Sequence, residues 1–208
     1  MTFSARGPLM RFALALLLFG VPLAVAAPVP KAVKAKLPDY YPLTDGAIWE
    51  YEMGAVTLVV KATEVTEKDG VRTAKLVREH DGKEVSSEGI HVDKDGVFRT
   101  HVNGTEIKPP VLLLKFGLAD EESWEVKSGV DGGKVAGKFT LAGASKVTVP
   151  AGEYDAVLVR GDCSIAGTKY NTRWWIAEGV GIVKLEHNVG GTPSVPLELK
   201  KYTPGKAK

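Results

Sequence analysis

Apolar and polar positions alternate with a period of two along most of this chain, and no stretch after the first 26 residues carries a helical stripe. Residues 145–187 show the pattern best. Val147 and Val149 alternate with Lys146 and Thr148, Pro150 ends the run because it has no N–H for a ladder, and Tyr154–Val159 leads back after Ala151-Gly152. A second hairpin follows, with Ala177–Gly181 between Tyr170–Ile176 and Ile182–His187. Trp49 and Tyr51 share one face of an earlier strand, and Glu50 and Glu52 the other. Lys134–Ala142 likewise sets Val135, Phe139 and Leu141 against Lys134, Lys138 and Thr140.

Turn chemistry spaces these runs. Asp69-Gly70, Asp81-Gly82, Asp95-Gly96, Asn103-Gly104 and Asp131-Gly132 are hairpin signals, because both residue types tolerate positive φ. About a dozen short strands in an antiparallel meander are expected. A sheet that long curls to cover its inner face and shield its edges. The predicted fold is therefore all-β, a single strongly curved antiparallel sheet forming an open or incomplete barrel, with a two-sheet sandwich as the alternative. Pro109-Pro110 followed by Val111–Phe116 breaks the rhythm; the run reads as a buried strand, a one-turn helix plugging a barrel end or an exposed apolar lip, with buried packing the leading reading.

The ends read differently. Arg6 and Arg11, the apolar run Phe12–Leu23 and Ala24-Val25-Ala26 form a leader with a cleavage signal, so residues 1–26 are expected to be a signal peptide. The apolar run is shorter than the roughly 20 residues a membrane-spanning helix needs, so no transmembrane segment is expected in the mature protein. Export to the periplasm or the extracellular space, soluble after cleavage, is the expectation. Residues 27–39 read as a flexible linker, 40–202 as one β-rich domain and 203–208 as a flexible tail.

Charge narrows the partners. The chain has 27 Lys and Arg against 25 Asp and Glu, and two of the bases lie in the leader, so what remains is near neutral. A neutral surface has little pull on nucleic acid. The single cysteine, Cys163, allows no internal disulfide.

Three motifs occur in order: Tyr41-Pro42-Leu43-x-x-Gly46-x-x-Trp49-x-Tyr51, Val149-Pro150-Ala151-Gly152-x-Tyr154-x-Ala156-x-x-Val159, and Trp175-x-Ala177-x-Gly179-Val180-Gly181-x-Val183-Lys184. Together they resemble a group of bacterial exported β-meander proteins of unknown function. The resemblance spans about residues 40 to 187 and implies an extracytoplasmic β-rich fold. It implies no catalytic residues.

Chemistry candidates are sparse. If Asp95-Gly96 is a two-residue loop, Lys94 pairs with Val97, Ile90 with His101 and His91 with Thr100, so His91 and His101 face opposite ways and share no metal. His101 falls opposite Glu106 across the Asn103-Gly104 turn, the arrangement of a surface pair more than of a dyad. Cys163 with His187 could form a nucleophile and base, but nothing nearby would lower the thiol's pKa, and a buried inert thiol is favoured. No metal-ligand spacing, phosphate loop or cofactor motif is present, and no catalytic residue is nominated. The ligand-binding candidates are aromatic: Trp49, Tyr51, Trp124, Tyr154, Tyr170, Trp174 and Trp175, with core packing the default reading for most of them. Adjacent Trp174 and Trp175 must face opposite ways. The leading functional reading is a non-enzymatic exported protein that binds a lipid, a lipoprotein or another apolar ligand on the concave face of its sheet. A cell-envelope module with a protein partner, and a hydrolase using His101 or Cys163, are the alternatives.

Overall fold

The computed structural model describes residues 39–131 and 133–206. The leader, the linker up to residue 38, Gly132 and the last two residues lie outside the described residues. Thirteen strands follow in order: β1 (Ile48–Met53), β2 (Val56–Lys68), β3 (Val71–His80), β4 (Lys83–Val92), β5 (Gly96–Val102), β6 (Thr105–Lys115) and β7 (Ser123–Val130). Then come β8 (Gly133–Val149), β9 (Gly152–Ile165), β10 (Thr168–Ala177), β11 (Gly181–Val189), the two-residue β12 (Thr192–Pro193) and β13 (Leu197–Thr203).

Each strand from β1 to β11 pairs antiparallel with the next, β11 pairs with β13, and β13 returns to β1. The result is a closed ring of 12 strands, with β12 attached outside it to β11. This corrects the expectation of an open or incomplete barrel, and of a sandwich. Ile48–Glu52 at the start and Glu198–Thr203 at the end of the domain pair edge to edge, a joint too distant in sequence for periodicity to report. Closure removes both free edges of the sheet.

Two joints in the ring are thin. β6 and β7 share one paired position, Lys108 with Gly129, and β11 and β13 share two, Lys184 with Glu198 and Leu185 with Leu197. Pro109 and Pro110 explain the first, since neither can donate to a ladder. Side chains bridge both. Trp124 Nε1 of β7 donates to the Leu112 carbonyl of β6 at 2.9 Å. Trp49 Nε1 and the Tyr51 hydroxyl reach past β13 to the carbonyls of Val180 (2.6 Å) and Ile182 (2.8 Å). Trp124→Phe keeps the ring but orphans a part-buried carbonyl, and is expected to lower unfolding free energy by about 1 kcal/mol in urea titrations. No loss would mean that the joint holds without its clasp.

The barrel is half solid and half hollow. Connections β2–β3, β4–β5, β6–β7, β8–β9 and β10–β11 share one end. There Leu43, Ala47, Trp49, Ile90, Val97, Val183 and Leu199 form a close-packed plug. The segments flanking the strands help to seal it: Gly205 N–H donates to Thr44 Oγ1, Lys206 N–H to the Asp45 carbonyl and Gly179 N–H to the Asp39 carbonyl. Residues 203–206, expected as a tail, are therefore held in place, and a side chain on Gly205 would collide with the Asp45 carbonyl. Asp39, expected in the linker, pairs with Arg72 at 2.9 Å.

The outer face is polar. Lys146 pairs with Glu153 and Asp155, Arg160 with Glu121, Lys184 with Glu198 and Lys200 with Glu52. A barrel that spans a bilayer shows the reverse, an apolar band outside and a polar interior.

Candidate lumenal binding site

A ring of about eight strands is filled by its own side chains, and a wider ring leaves space. Here the space is a cavity of about 620 Å³ in the half of the barrel away from the plug, with Tyr41 and Leu114 towards the plug and Met53, Ile165, Val189 and Val195 among its lining residues. Those last four are four of the five large apolar side chains that the described residues leave exposed, and each sits beside a hairpin of the unplugged end. They mark a mouth. The walls are mostly apolar, with Leu113 of β6, Val135 and Phe139 of β8, and Trp174 and Ile176 of β10.

One wall is charged. Ala74, Leu76 and Arg78 point inward from β3, Glu88 and Ile90 from β4, and Val97 and Arg99 from β5, so three neighbouring strands bring two guanidiniums to one carboxylate. Arg99 Nε donates to Glu88 Oε2 at 2.8 Å, and Arg78 Nη1 pairs with Oε1. Glu88 is 6% exposed. Burial pushes its pKa up, but Arg99 and then Arg78 more than offset this and hold the carboxyl below its ordinary value. Burial and the Glu88 charge push the Tyr41 phenol up to about 12, against the opposing pull of Arg99 and Arg78.

Across the lumen, β9 to β11 present Cys163, Thr172 and His187. Burial, then Arg99 and Arg78, lower the His187 pKa, so the ring is neutral at pH 7. The Cys163 thiol is pushed up, first by burial and then by Asp162, which leaves it less nucleophilic than an ordinary cysteine.

These shifts set an acid limit. Glu88 binds its proton less readily folded than unfolded, so its contribution is complete above its ordinary pKa of 4.5 and is lost as pH falls through the lowered folded value. His187 acts in the same direction below 6.5, because the unfolded imidazole protonates first. Its partial exposure weakens that share. Unfolding midpoints in urea are expected to hold near neutrality, dip slightly below pH 6.5 and fall steeply below pH 4.5. A profile flat to below pH 4 would contradict the cluster's role.

The nominated aromatics divide by place. Tyr170 and Trp174 line the cavity. Trp49, Tyr51 and Trp124 are buried as the clasps described above. Tyr154 is half-buried against the core opposite Val147, and Trp175 lies outside with Lys184 Nζ 5.5 Å from its ring centre. Trp174 and Trp175 do face opposite ways. Val111, Leu113 and Leu114 form a buried strand.

His91 and His101 depart from the expected pairing. Asp93 Oδ1 accepts the N–H groups of Asp95 and Gly96, which lengthens the loop, and a bulge near Thr100 pairs His101 with Gly89 and Ile90 with Arg99. The two imidazoles thus share the outer face, a correction to the opposite faces expected. Among the described residues no His, Cys, Asp and Glu cluster suits a metal ion.

No family model and no curated protein matches the chain. Among solved structures it is similar to a candidate lipoprotein from Parabacteroides distasonis, with a TM-score of 0.59 and 14% identity over 81% of this chain and 100% of that one. It is also similar to a candidate exported protein with a YmcC-like fold from Bacteroides fragilis, with a TM-score of 0.58 and 12% identity over 80% of this chain and 99% of that one. The chain has a YmcC-like fold. At such identities the likeness is one of fold alone, and the lumen of this YmcC-like barrel has to be read from its own residues.

Proposed function

We infer that the protein is exported, belongs with the β-meander group whose motifs it carries, and binds an apolar or amphipathic small molecule inside its barrel without transforming it. The observation that carries this reading is the apolar cavity of about 620 Å³, within the range of small-molecule sites, with exposed apolar side chains at its mouth. Exposed Val and Ile at a mouth are unfavourable in water and are covered when a ligand's chain emerges between them. The leader-like residues 1–26 and the exported or lipoprotein descriptions of the fold neighbours support the compartment. The thiol and imidazole of the lumen give no reason to favour catalysis, since the one is held protonated and no hydrogen bond joins it to the other.

The test uses the purified processed chain and N-phenyl-1-naphthylamine, a neutral dye that brightens in apolar surroundings. Saturable brightening at one dye per chain is expected, together with slower maleimide modification of Cys163, the sole cysteine and a residue of the lumen wall. No brightening, and no change at Cys163, would overturn the reading.

A further inference from the structure

Apart from His187, the acidic and basic side chains that line the cavity are Arg78, Glu88 and Arg99. Two cations share one anion, which leaves one positive charge facing an apolar space. The Arg78 and Arg99 side chains are 29% and 30% exposed, so this charge is open to the lumen and attracts an anion there. Arg99 meets Glu88 through Nε, and Arg78 through Nη1. Both arginine side chains are part-exposed, so guanidinium N–H groups remain open to a ligand.

We propose that the lumen takes a monoanionic amphiphile, an alkyl carboxylate, whose head is held by the open N–H groups of Arg99 and Arg78 while its chain fills the apolar remainder of the cavity. The proposal rests on the lumen being the ligand site. Charge fixes the class: one negative head brings the lining to neutrality, a doubly charged phosphate overshoots, and a cationic head meets two guanidiniums. Geometry fixes the group, because a guanidinium offers paired donors that match the two oxygens of a carboxylate. Tyr41 lines the cavity near the same cluster and, with its phenol held protonated, adds a neutral donor. His187 on the opposite wall is neutral at pH 7 and supplies no competing cation.

The experiment displaces bound N-phenyl-1-naphthylamine with four compounds of equal chain length: laurate, its methyl ester, lauryl phosphate and lauryl trimethylammonium. Laurate is expected to compete about 10-fold to 100-fold better than the ester, the range for a charge-assisted hydrogen bond, and better than the other two. In the triple variant Arg78→Met, Glu88→Leu, Arg99→Met, laurate is expected to compete no better than its ester. A second measurement needs no variant. Laurate labelled at its carboxyl carbon is added to the unaltered protein, and the bound carboxyl is expected to titrate at lower pH than the free acid. If laurate and ester compete equally, or the phosphate or the ammonium wins, or the bound carboxyl titrates no lower, the proposal falls while the lumenal reading stands. If the dye does not bind at all, the lumenal reading falls first.

Discussion

Glu88→Gln is expected to lower the free energy of unfolding by about 1–3 kcal/mol, less than for a fully buried pair because the Arg78 and Arg99 side chains keep 29% and 30% of their surface exposed. The carboxylate is nearly sealed, and its loss leaves two guanidiniums facing each other across an apolar wall with no counter-charge. The apolar triple variant is expected to behave differently. Replacing all three charges by side chains of similar volume should leave the barrel as stable as the parent, or more so, because no desolvated ion then remains. Urea denaturation of both variants decides the matter. A loss below 1 kcal/mol for Glu88→Gln would show that water in the cavity solvates the guanidiniums. A triple variant much weaker than the parent would show that the cluster serves the fold. A cluster that the fold can do without would support the proposed anion-binding role of the lumen.

The second large effect is at Phe139. Its ring stacks on Trp124 (centroids 5.7 Å apart) and lies tilted against Trp174 (5.3 Å), across from Gly161, its partner on β9. A Cβ at Gly161 would sit 2.4 Å from the Phe139 ring and 2.8 Å from the Thr172 methyl. The glycine is therefore the space that the ring occupies. Phe139→Ala is expected to cost about 3–5 kcal/mol by leaving a cavity beside two indoles. Gly161→Ala overpacks the same place and is expected to cost about 1–3 kcal/mol. Combined, the two changes should cost less than their sum, since removing the ring makes room for the methyl. Strict additivity in the double-mutant cycle would disprove this account of the pairing.

Much of the strand pattern could be read from alternation and from Asp-Gly or Asn-Gly turns. Asp69, Asp81, Asn103 and Asp131 all take positive φ, as those turns require. The Asp95-Gly96 loop differed because the Asp93 carboxylate captures two backbone N–H groups, a tertiary detail that no dipeptide rule contains. Closure was invisible for a similar reason: the β1–β13 joint depends on where the ring's two ends meet, and alternation is local. The charged wall left a signal that went unread. Arg78 stands two residues after Leu76, Glu88 two before Ile90 and Arg99 two after Val97, so each charge sits at the spacing of its strand's buried face. Catalytic spacing does not single them out, because charges ordinarily mark the wet side of a strand. Trp49, Tyr51 and Trp124 were visible as large aromatics, but their partners are backbone carbonyls, which carry no residue signature.

The two thin joints bear on what size of guest fits. Along most of its circumference the bore is fixed by rows of inter-strand amides, but β6–β7 and β11–β13 are fastened by three paired positions and a few indole and phenol contacts. Strands β7 to β11 thus form one stiff leaf, and β13 with β1 to β6 another. Widening the bore would stretch only those few fastenings, with every long ladder left intact.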